Sequence, residues 1–253
     1  MMTNENLILS DKADGIAWIT LNRPDSMNAL TPLMLTQLND ALVAAREDEE
    51  VGVIVVTGSG RAFCAGLDLK ALGKTEFSGG EVEPKYIIYG LRVIDTIIEL
   101  PKVVIAMVNG FCFTGGLEIL LAFDLIVAAE EAYFGDTHAR WGIRPSWGMS
   151  QRLPRIVGIN KAKELSFTAR KFTAQEAREM GMVNRVVAAD KLKQEVTALA
   201  EDILANSLDA VAAIKNLYNR GLATTLKEGL DIEANSHFQI ADTNQRLKDF
   251  MRK

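Results

Sequence analysis

The paired glycines Gly115 and Gly116 are the feature that most constrains the fold of this 253-residue chain. They separate an apolar run at 103–108, which predicts a buried strand, from a helical pattern that begins at Leu117. The first N–H groups of a helix have no partner within the helix, and together with the helix dipole they favour negative charge. Glu118, three residues after Gly115, would share their helix face. The sequence therefore predicts an anion site beside an acid/base group.

A second segment, at 61–70, is also a candidate for binding a ligand through backbone N–H groups. The apolar run at 51–58 predicts another buried strand, which leads into the segment 61–70. Ala65 and Gly66 in that segment are small enough to let a ligand approach the backbone closely. Two backbone donors from two separate loops can stabilise a carbonyl oxygen that gains negative charge. Either loop alone is weak evidence, because most glycine-rich turns only reverse the chain.

The order of apolar patterns predicts an α/β fold. Strands at 7–9 and 16–21 flank a turn at Asp14-Gly15, and further strands are predicted at 103–108, 124–128 and 183–187. Helices are predicted from Thr31-Pro32 onward and at 86–100, with a loop at 74–84 before the second. This alternation favours a twisted, mainly parallel sheet, and the chain after residue 173 is mostly helical.

Composition excludes several classes of function. A net charge of −5 without a basic block argues against nucleic acid as a partner. There is no apolar run long enough for a membrane span and no apolar signal core at 1–10, so a cytoplasmic location is predicted. Cys64 and Cys112 have no metal or CxxC spacing and are interpreted as small buried hydrophobic residues. Two histidines cannot form a multi-histidine zinc site, and no metal is predicted.

Eight short motifs, taken in order, resemble the crotonase (enoyl-CoA hydratase/isomerase) superfamily along nearly the whole chain. They are the NRP…NAL segment at 21–30, the loop at 63–70, Val108-Asn109-Gly110, Gly115 to Glu118, the segment 124–128, Phe134-Gly135, the segment 151–158 and the A-x-E-A segment at 174–183. The resemblance implies a spiral of ββα units at 1–190 that binds acyl-CoA. It also implies a C-terminal helical oligomerisation region at 191–253, and a homotrimer or homohexamer. No cofactor is implied beyond the coenzyme A of the substrate.

The resemblance also assigns site residues. In the family, the thioester oxygen binds between two backbone amides, which correspond to those of Leu67 and Gly115. Glu118 corresponds to the first of two glutamates that activate a water molecule. The second position holds His138, a departure from the family pattern. The residues that correspond to the path of coenzyme A are Ala65, Asp68, Leu69 and Lys70.

His138 has three interpretations on sequence grounds. It can act as the second acid/base group and produce a limb near neutrality in the pH profile. It can instead anchor a loop through Asp136 or a carbonyl, or Asp136 itself can replace the missing carboxylate. A carboxylate paired with the ring would keep it charged to higher pH, whereas apolar walls would favour the neutral ring.

The activity implied most directly is that of an enoyl-CoA hydratase, a lyase that adds water across the α,β double bond of an enoyl-CoA thioester. Because the second glutamate is missing, other reactions on the same scaffold stay open: double-bond isomerisation, decarboxylation and thioester hydrolysis. A non-catalytic acyl-CoA binder is the alternative from a different class. The presence of Glu118 argues against such a binder.

Overall fold

Long strands of one sheet alternate along the chain with short strands of another. The computed structural model describes residues 6–70, 79–82 and 84–252. The six-stranded sheet has the order β1-β2-β3-β5-β7-β10, and the four-stranded sheet has the order β4-β6-β8-β9. The strands are β1 (Ile8–Ala13), β2 (Ile16–Leu21), β3 (Val53–Gly58), β4 (Ala62–Cys64), β5 (Val103–Val108), β6 (Phe111–Phe113), β7 (Leu125–Ala129), β8 (Tyr133–Gly135), β9 (Phe172–Thr173) and β10 (Arg185–Val187).

Helices follow the strand pairs and then dominate the C-terminal part of the chain. They are α1 (Pro32–Glu47), α2 (Pro84–Glu99), α3 (Gly115–Leu120), α4 (His138–Trp141), α5 (Met149–Val157), α6 (Ile159–Thr168), α7 (Ala174–Glu179), α8 (Leu192–Leu204), α9 (Leu208–Leu222), α10 (Leu226–Asn235) and α11 (Thr243–Met251). Two 3₁₀ turns lie at Pro24–Ser26 and Ala189–Lys191. No helix in the described part of the chain is long and apolar enough to cross a membrane.

The repeating unit is a long strand, a short strand and a helix. The units β3-β4-α2, β5-β6-α3 and β7-β8-α4 follow one another, and their strands pair in parallel within each sheet. A parallel sheet needs cover on both faces, which explains why β3 and β5 are almost entirely apolar. One face packs on the main core, and the other packs on Leu192, Val196 and Ala200 of α8. The predicted α/β spiral of ββα units is confirmed.

Most predicted elements are present, with one clear correction. The strand predicted at 7–9 is too short, because β1 continues through Asp11 and Lys12 to Ala13. Its side chains are largely exposed, so it has no apolar pattern, but its backbone pairs with β2 along all six residues. Charged residues on an edge strand also oppose pairing with other chains. The loop predicted at 74–84 lies mainly outside the described residues.

The C-terminal helices are joined to the spiral by a buried cation. Lys215 of α9 donates from Nζ to the carbonyl oxygens of Ile97 and Lys102 and to Oδ2 of Asp124, the last at 2.7 Å. Lys215 is buried, and Asp124 also accepts a bond from the amide of Val104. The division at residue 190 stays a prediction, since α8 and α9 share core contacts with the strands.

Removing this cation should destabilise the protein strongly. Lys215→Ala leaves the partly buried Asp124 carboxylate without its cation, which should lower the free energy of unfolding by up to about 3–5 kcal/mol. Denaturant unfolding at a fixed protein concentration measures the loss. Lys161→Ala is the matched control, because its ion pair with Glu164 is exposed and should contribute no more than about 1 kcal/mol. Equal losses in the two variants would contradict this account.

Candidate active site

A cavity of about 270 Å³ lies where the short strands end. Its walls include Ala65 and Leu67 after β4, Gly115 after β6 and His138 after β8. In a parallel sheet, the chain leaves every strand at the same edge, so residues far apart in sequence meet there. The cavity therefore brings together the two candidate donor residues, Leu67 and Gly115, with Glu118 and His138.

The two candidate donor amides face the same space. Leu67 forms a parallel bridge with Leu30, in which the Leu30 amide donates to the Gly66 carbonyl and the Asp68 amide donates to the Leu30 carbonyl. This pattern directs the Leu67 N–H away from Leu30. Within the described residues, neither the Leu67 amide nor the Gly115 amide donates to a protein acceptor. The Leu67 nitrogen lies 3.5 Å from the point that a Cβ on Gly115 would occupy.

Gly66 allows this close approach. Its φ of +92° belongs to the region that favours glycine. A Cβ at this position would also lie 3.0 Å from the Gly115 nitrogen and 3.0 Å from the Phe113 carbonyl oxygen. Any side chain here would separate the two loops and their amides.

Glu118 is buried in the first turn of α3 with one carboxylate oxygen anchored. Its Oε1 accepts hydrogen bonds from the amides of Trp147 and Met149 at 2.8 Å and 3.2 Å. Its Oε2 lies 3.4 Å from Nε2 of His138. The anchored oxygen fixes the carboxylate, and the second oxygen is directed toward the imidazole.

Trp147 sets the position of those two amides. A Cβ on Gly90 of α2 would lie 2.0 Å from Cε2 of the indole, and a Cβ on Gly115 would lie 2.8 Å from its Cζ3. The indole is thus held between two glycines and is fully buried. Sequence reasoning did not find the two glycines that hold Trp147. The only signal was Gly90, a helix-breaking residue inside an apolar helix.

His138 lies between two carboxylates. Its Nδ1 is 2.6 Å from Oδ1 of Asp136, and its backbone amide also donates to that oxygen. Burial alone would lower the pKa of His138, but hydrogen bonds and charges from Asp136 and Glu118 raise it to about 9. Burial opposes ionisation of Asp136, yet hydrogen bonds from His138 and Ser166 lower its pKa. His138 is therefore held in the cationic form near neutral pH.

These contacts bear on the three interpretations of His138. His138 faces Glu118, as the acid/base interpretation requires, and it also bonds to Asp136, as the anchoring interpretation requires. The limb near neutrality stays a prediction, and the His138 pKa of about 9 would move it to higher pH. The sequence indicated Asp136 as a possible partner of His138. Only the fold showed that the same ring also faces Glu118.

The residues assigned to the coenzyme A path divide into two groups. Ala65 and Leu69 line the cavity. The carboxylate of Asp68 is turned into the protein, where its Oδ2 lies 2.7 Å from Nη1 of Arg23. Its Oδ1 accepts from the Lys70 amide at 3.0 Å. Lys70 itself is exposed, and neither Asp68 nor Lys70 belongs to the cavity wall.

Comparison with known proteins gives a consistent answer. A family model described as Enoyl-CoA hydratase/isomerase matches residues 11–252. The probable peroxisomal enoyl-CoA hydratase 1 of Arabidopsis thaliana is 42% identical over 91% of this chain and 85% of its own length. The crotonyl-CoA hydratase of Syntrophomonas wolfei is 36% identical over 100% of this chain and 97% of its own. The crystal structure of an enoyl-CoA hydratase from Bacillus anthracis matches with a TM-score of 0.84 at 35% identity, over 90% of this chain and 88% of that one.

The protonation of His138 can be tested directly. Its ring should titrate at about 9 in the NMR spectrum, compared with 6.5 for a free histidine. Because folding raises this pKa, the associated stability is fully present below pH 6.5 and is lost as the pH rises through about 9. Asp136→Asn removes one carboxylate and should lower the pKa of the ring. Asp124→Asn, at a partly buried aspartate elsewhere in the protein, should leave the pKa of the ring unchanged, and equal effects would count against the pairing.

Proposed function

Because the chain belongs to the enoyl-CoA hydratase/isomerase family, we propose that it is an enzyme that adds water across the α,β double bond of an enoyl-CoA thioester. The observation that supports this most strongly is the placement of two free amides, Leu67 and Gly115, beside the buried carboxylate of Glu118. Such a site can stabilise negative charge on a thioester oxygen while an acid/base group acts on the neighbouring carbons.

The two amides would form the oxyanion hole. The thioester oxygen accepts hydrogen bonds from the Leu67 and Gly115 amides and gains charge as the enolate forms. Donors that are already oriented in a water-poor site stabilise this charge without reorganisation. Since the donors are backbone groups, they require the loop geometry and not a particular side chain.

Glu118 and His138 would divide the proton transfers. Water bound near Oε2 of Glu118 gives a proton to that oxygen, and its hydroxide adds to the β-carbon. The α-carbon of the enolate takes a proton from Nε2 of His138. A proton then returns from Glu118 to His138. The pair therefore carries one transferable proton, and the raised pKa of His138 supports its role as the donor.

The loop at 65–70 would guide coenzyme A. Ala65 and Leu69 lie on the cavity wall, where they can contact the thioester arm. Asp68 would act by fixing the loop through Arg23, and the exposed ammonium of Lys70 would face the adenine end with its phosphates. No further cofactor is needed, because the coenzyme A is part of the substrate.

Double-bond isomerisation is the second candidate. It is favoured by one observation: His138 and Glu118 lie 3.4 Å apart, so they can move a proton between two carbons without a water molecule. An enoyl-CoA isomerase would shift the double bond of a β,γ-enoyl-CoA and would leave crotonyl-CoA unchanged. Product analysis with both esters separates the two reactions.

We also propose a homotrimer or homohexamer in the cytoplasm. The C-terminal helices α10 and α11 have no buried residue, and large apolar side chains there are exposed, among them Leu226, Leu230 and Phe250. Apolar surface of this kind is typical of a subunit interface. The location rests only on sequence composition, and the Arabidopsis relative is named peroxisomal.

Glu118→Gln tests the activity. The substitution keeps the size of the side chain but removes its ability to accept a proton, so turnover of crotonyl-CoA should fall roughly 100-fold or more. Loss of enoyl absorbance measures the rate, and the melting temperature should change little. Glu195→Gln, at a half-exposed glutamate on α8, is the control and should keep full activity. If the wild-type protein turned over neither crotonyl-CoA nor a β,γ-enoyl-CoA, the non-catalytic binder would be favoured.

Light scattering tests the assembly. At micromolar concentration, the mass should be three or six times that of the 27.7 kDa chain. Leu226→Asp should dissociate the assembly, because it places a charge in the proposed apolar interface. Leu33→Asp, at an exposed leucine of α1, should not. A monomeric wild-type protein would refute the proposal.

A further inference from the structure

Thr114, the residue before the Gly115 amide, has a backbone conformation that threonine disfavours. Its φ is 50° and its ψ is −116°. In the described part of the chain, five non-glycine residues have positive φ, and Thr114 is the one with a β-branched side chain. Branching at Cβ makes this region especially unfavourable. Glycine would relieve the strain, so contacts of the surrounding structure hold the threonine in this conformation.

The side chain does not cap the helix that follows. Thr114 is the N-cap of α3, yet its hydroxyl makes no capping bond. Instead, Oγ1 of Thr114 forms a hydrogen bond with Oγ1 of Thr137. Both threonines line the cavity, and Thr137 directly precedes His138. The hydroxyl pair therefore links the loop that carries the Gly115 amide to the loop that carries His138.

The strained torsion has a direct consequence for the donor. The ψ angle of Thr114 sets the plane of the peptide between Thr114 and Gly115, and thus the direction of the Gly115 N–H. The Thr114 amide is already fixed, because it donates to the Gly135 carbonyl at 2.9 Å. The carbonyl oxygen of the Thr114–Gly115 peptide accepts from the Glu118 amide at 2.9 Å, so hydrogen bonds hold the peptides on both sides of Thr114. The strained φ and ψ between them are then held by the hydroxyl bond to Thr137, which opposes relaxation of the residue.

We propose that Thr114 is a positioning residue, whose hydroxyl bond to Thr137 holds a strained backbone that directs the Gly115 N–H into the cavity. This inference rests on the proposed oxyanion hole, but not on hydration as the reaction. The hydroxyl pair also keeps the donor in register with His138, so that the thioester oxygen is stabilised while a proton reaches the α-carbon of the same substrate.

Thr114→Gly separates strain from function. It should raise the melting temperature by about 2–4 °C or more because the strain is relieved. It should also lower kcat roughly tenfold with little change in KM, since the donor acts mainly in the transition state. Thr114→Ser keeps the hydroxyl and should retain most activity. A residue with only a structural role would not lower kcat as stability rises.

Two further variants sharpen the test. Thr137→Val removes the partner hydroxyl at nearly constant volume and should lower kcat without raising the melting temperature. The double variant should lose no more activity than Thr114→Gly alone, because both changes break one interaction. Asp14→Gly is the control for strain, since Asp14 has φ of 53° in the turn between β1 and β2. It should leave kcat unchanged.

A second readout does not depend on hydration. Acetoacetyl-CoA ionises to an enolate with its own ultraviolet absorbance, so an oxyanion hole should increase the enolate fraction on binding. The wild-type protein should show this increase, and Thr114→Gly should lose most of it. An enolate signal without crotonyl-CoA turnover would end the hydratase proposal alone. Full signal and kcat in Thr114→Gly, or a lower melting temperature, would overturn the role of Thr114.

Additive losses in the double variant would also overturn it. They would mean that each hydroxyl contacts the substrate independently.

Discussion

Parallel pairing of the short strands β4, β6 and β8 is the constraint on which the rest of the site depends. It makes three segments, about fifty and then twenty residues apart, leave the sheet at one edge. Leu67, Gly115 and His138 follow those strands directly and meet in one cavity. The long strands of the other sheet maintain this arrangement. In the chain, β3, β5 and β7 are each followed by a short strand, so parallel pairing of the long strands keeps the short strands side by side. A change of register in either sheet would displace one of the three residues from the cavity.

The charge at the centre of the site follows from that arrangement. Two buried carboxylates would repel each other and resist burial, but His138 lies between them. Glu118 is further stabilised by the amides of Trp147 and Met149. The imidazolium compensates the burial of both carboxylates and supplies a proton beside a base. The same ion pairs therefore reduce the cost of burying these charges and place a proton donor beside a base.

Sequence and structure agree where the signal is local. The helix α1 begins at Pro32 after its Thr31 cap, and β5 covers the predicted residues 103–108, because capping and apolar runs are local properties. They differ where a partner far along the chain decides the outcome. β1 is longer than its pattern because β2 pairs with its backbone. Asp68 lies in a loop assigned to coenzyme A, yet its carboxylate faces Arg23 from the NRP motif.

The sequence by itself determined the family, the α/β spiral and the identity of Glu118 and His138 as candidate acid/base residues. These rest on short motifs and their order, which can be recognised in the sequence alone. Only the tertiary structure decided the charge of His138, the burial of Trp147 between two glycines and the bond between Thr114 and Thr137. Each depends on distances between loops that the chain brings together from separate strands, and a pKa or a peptide orientation is set by such distances.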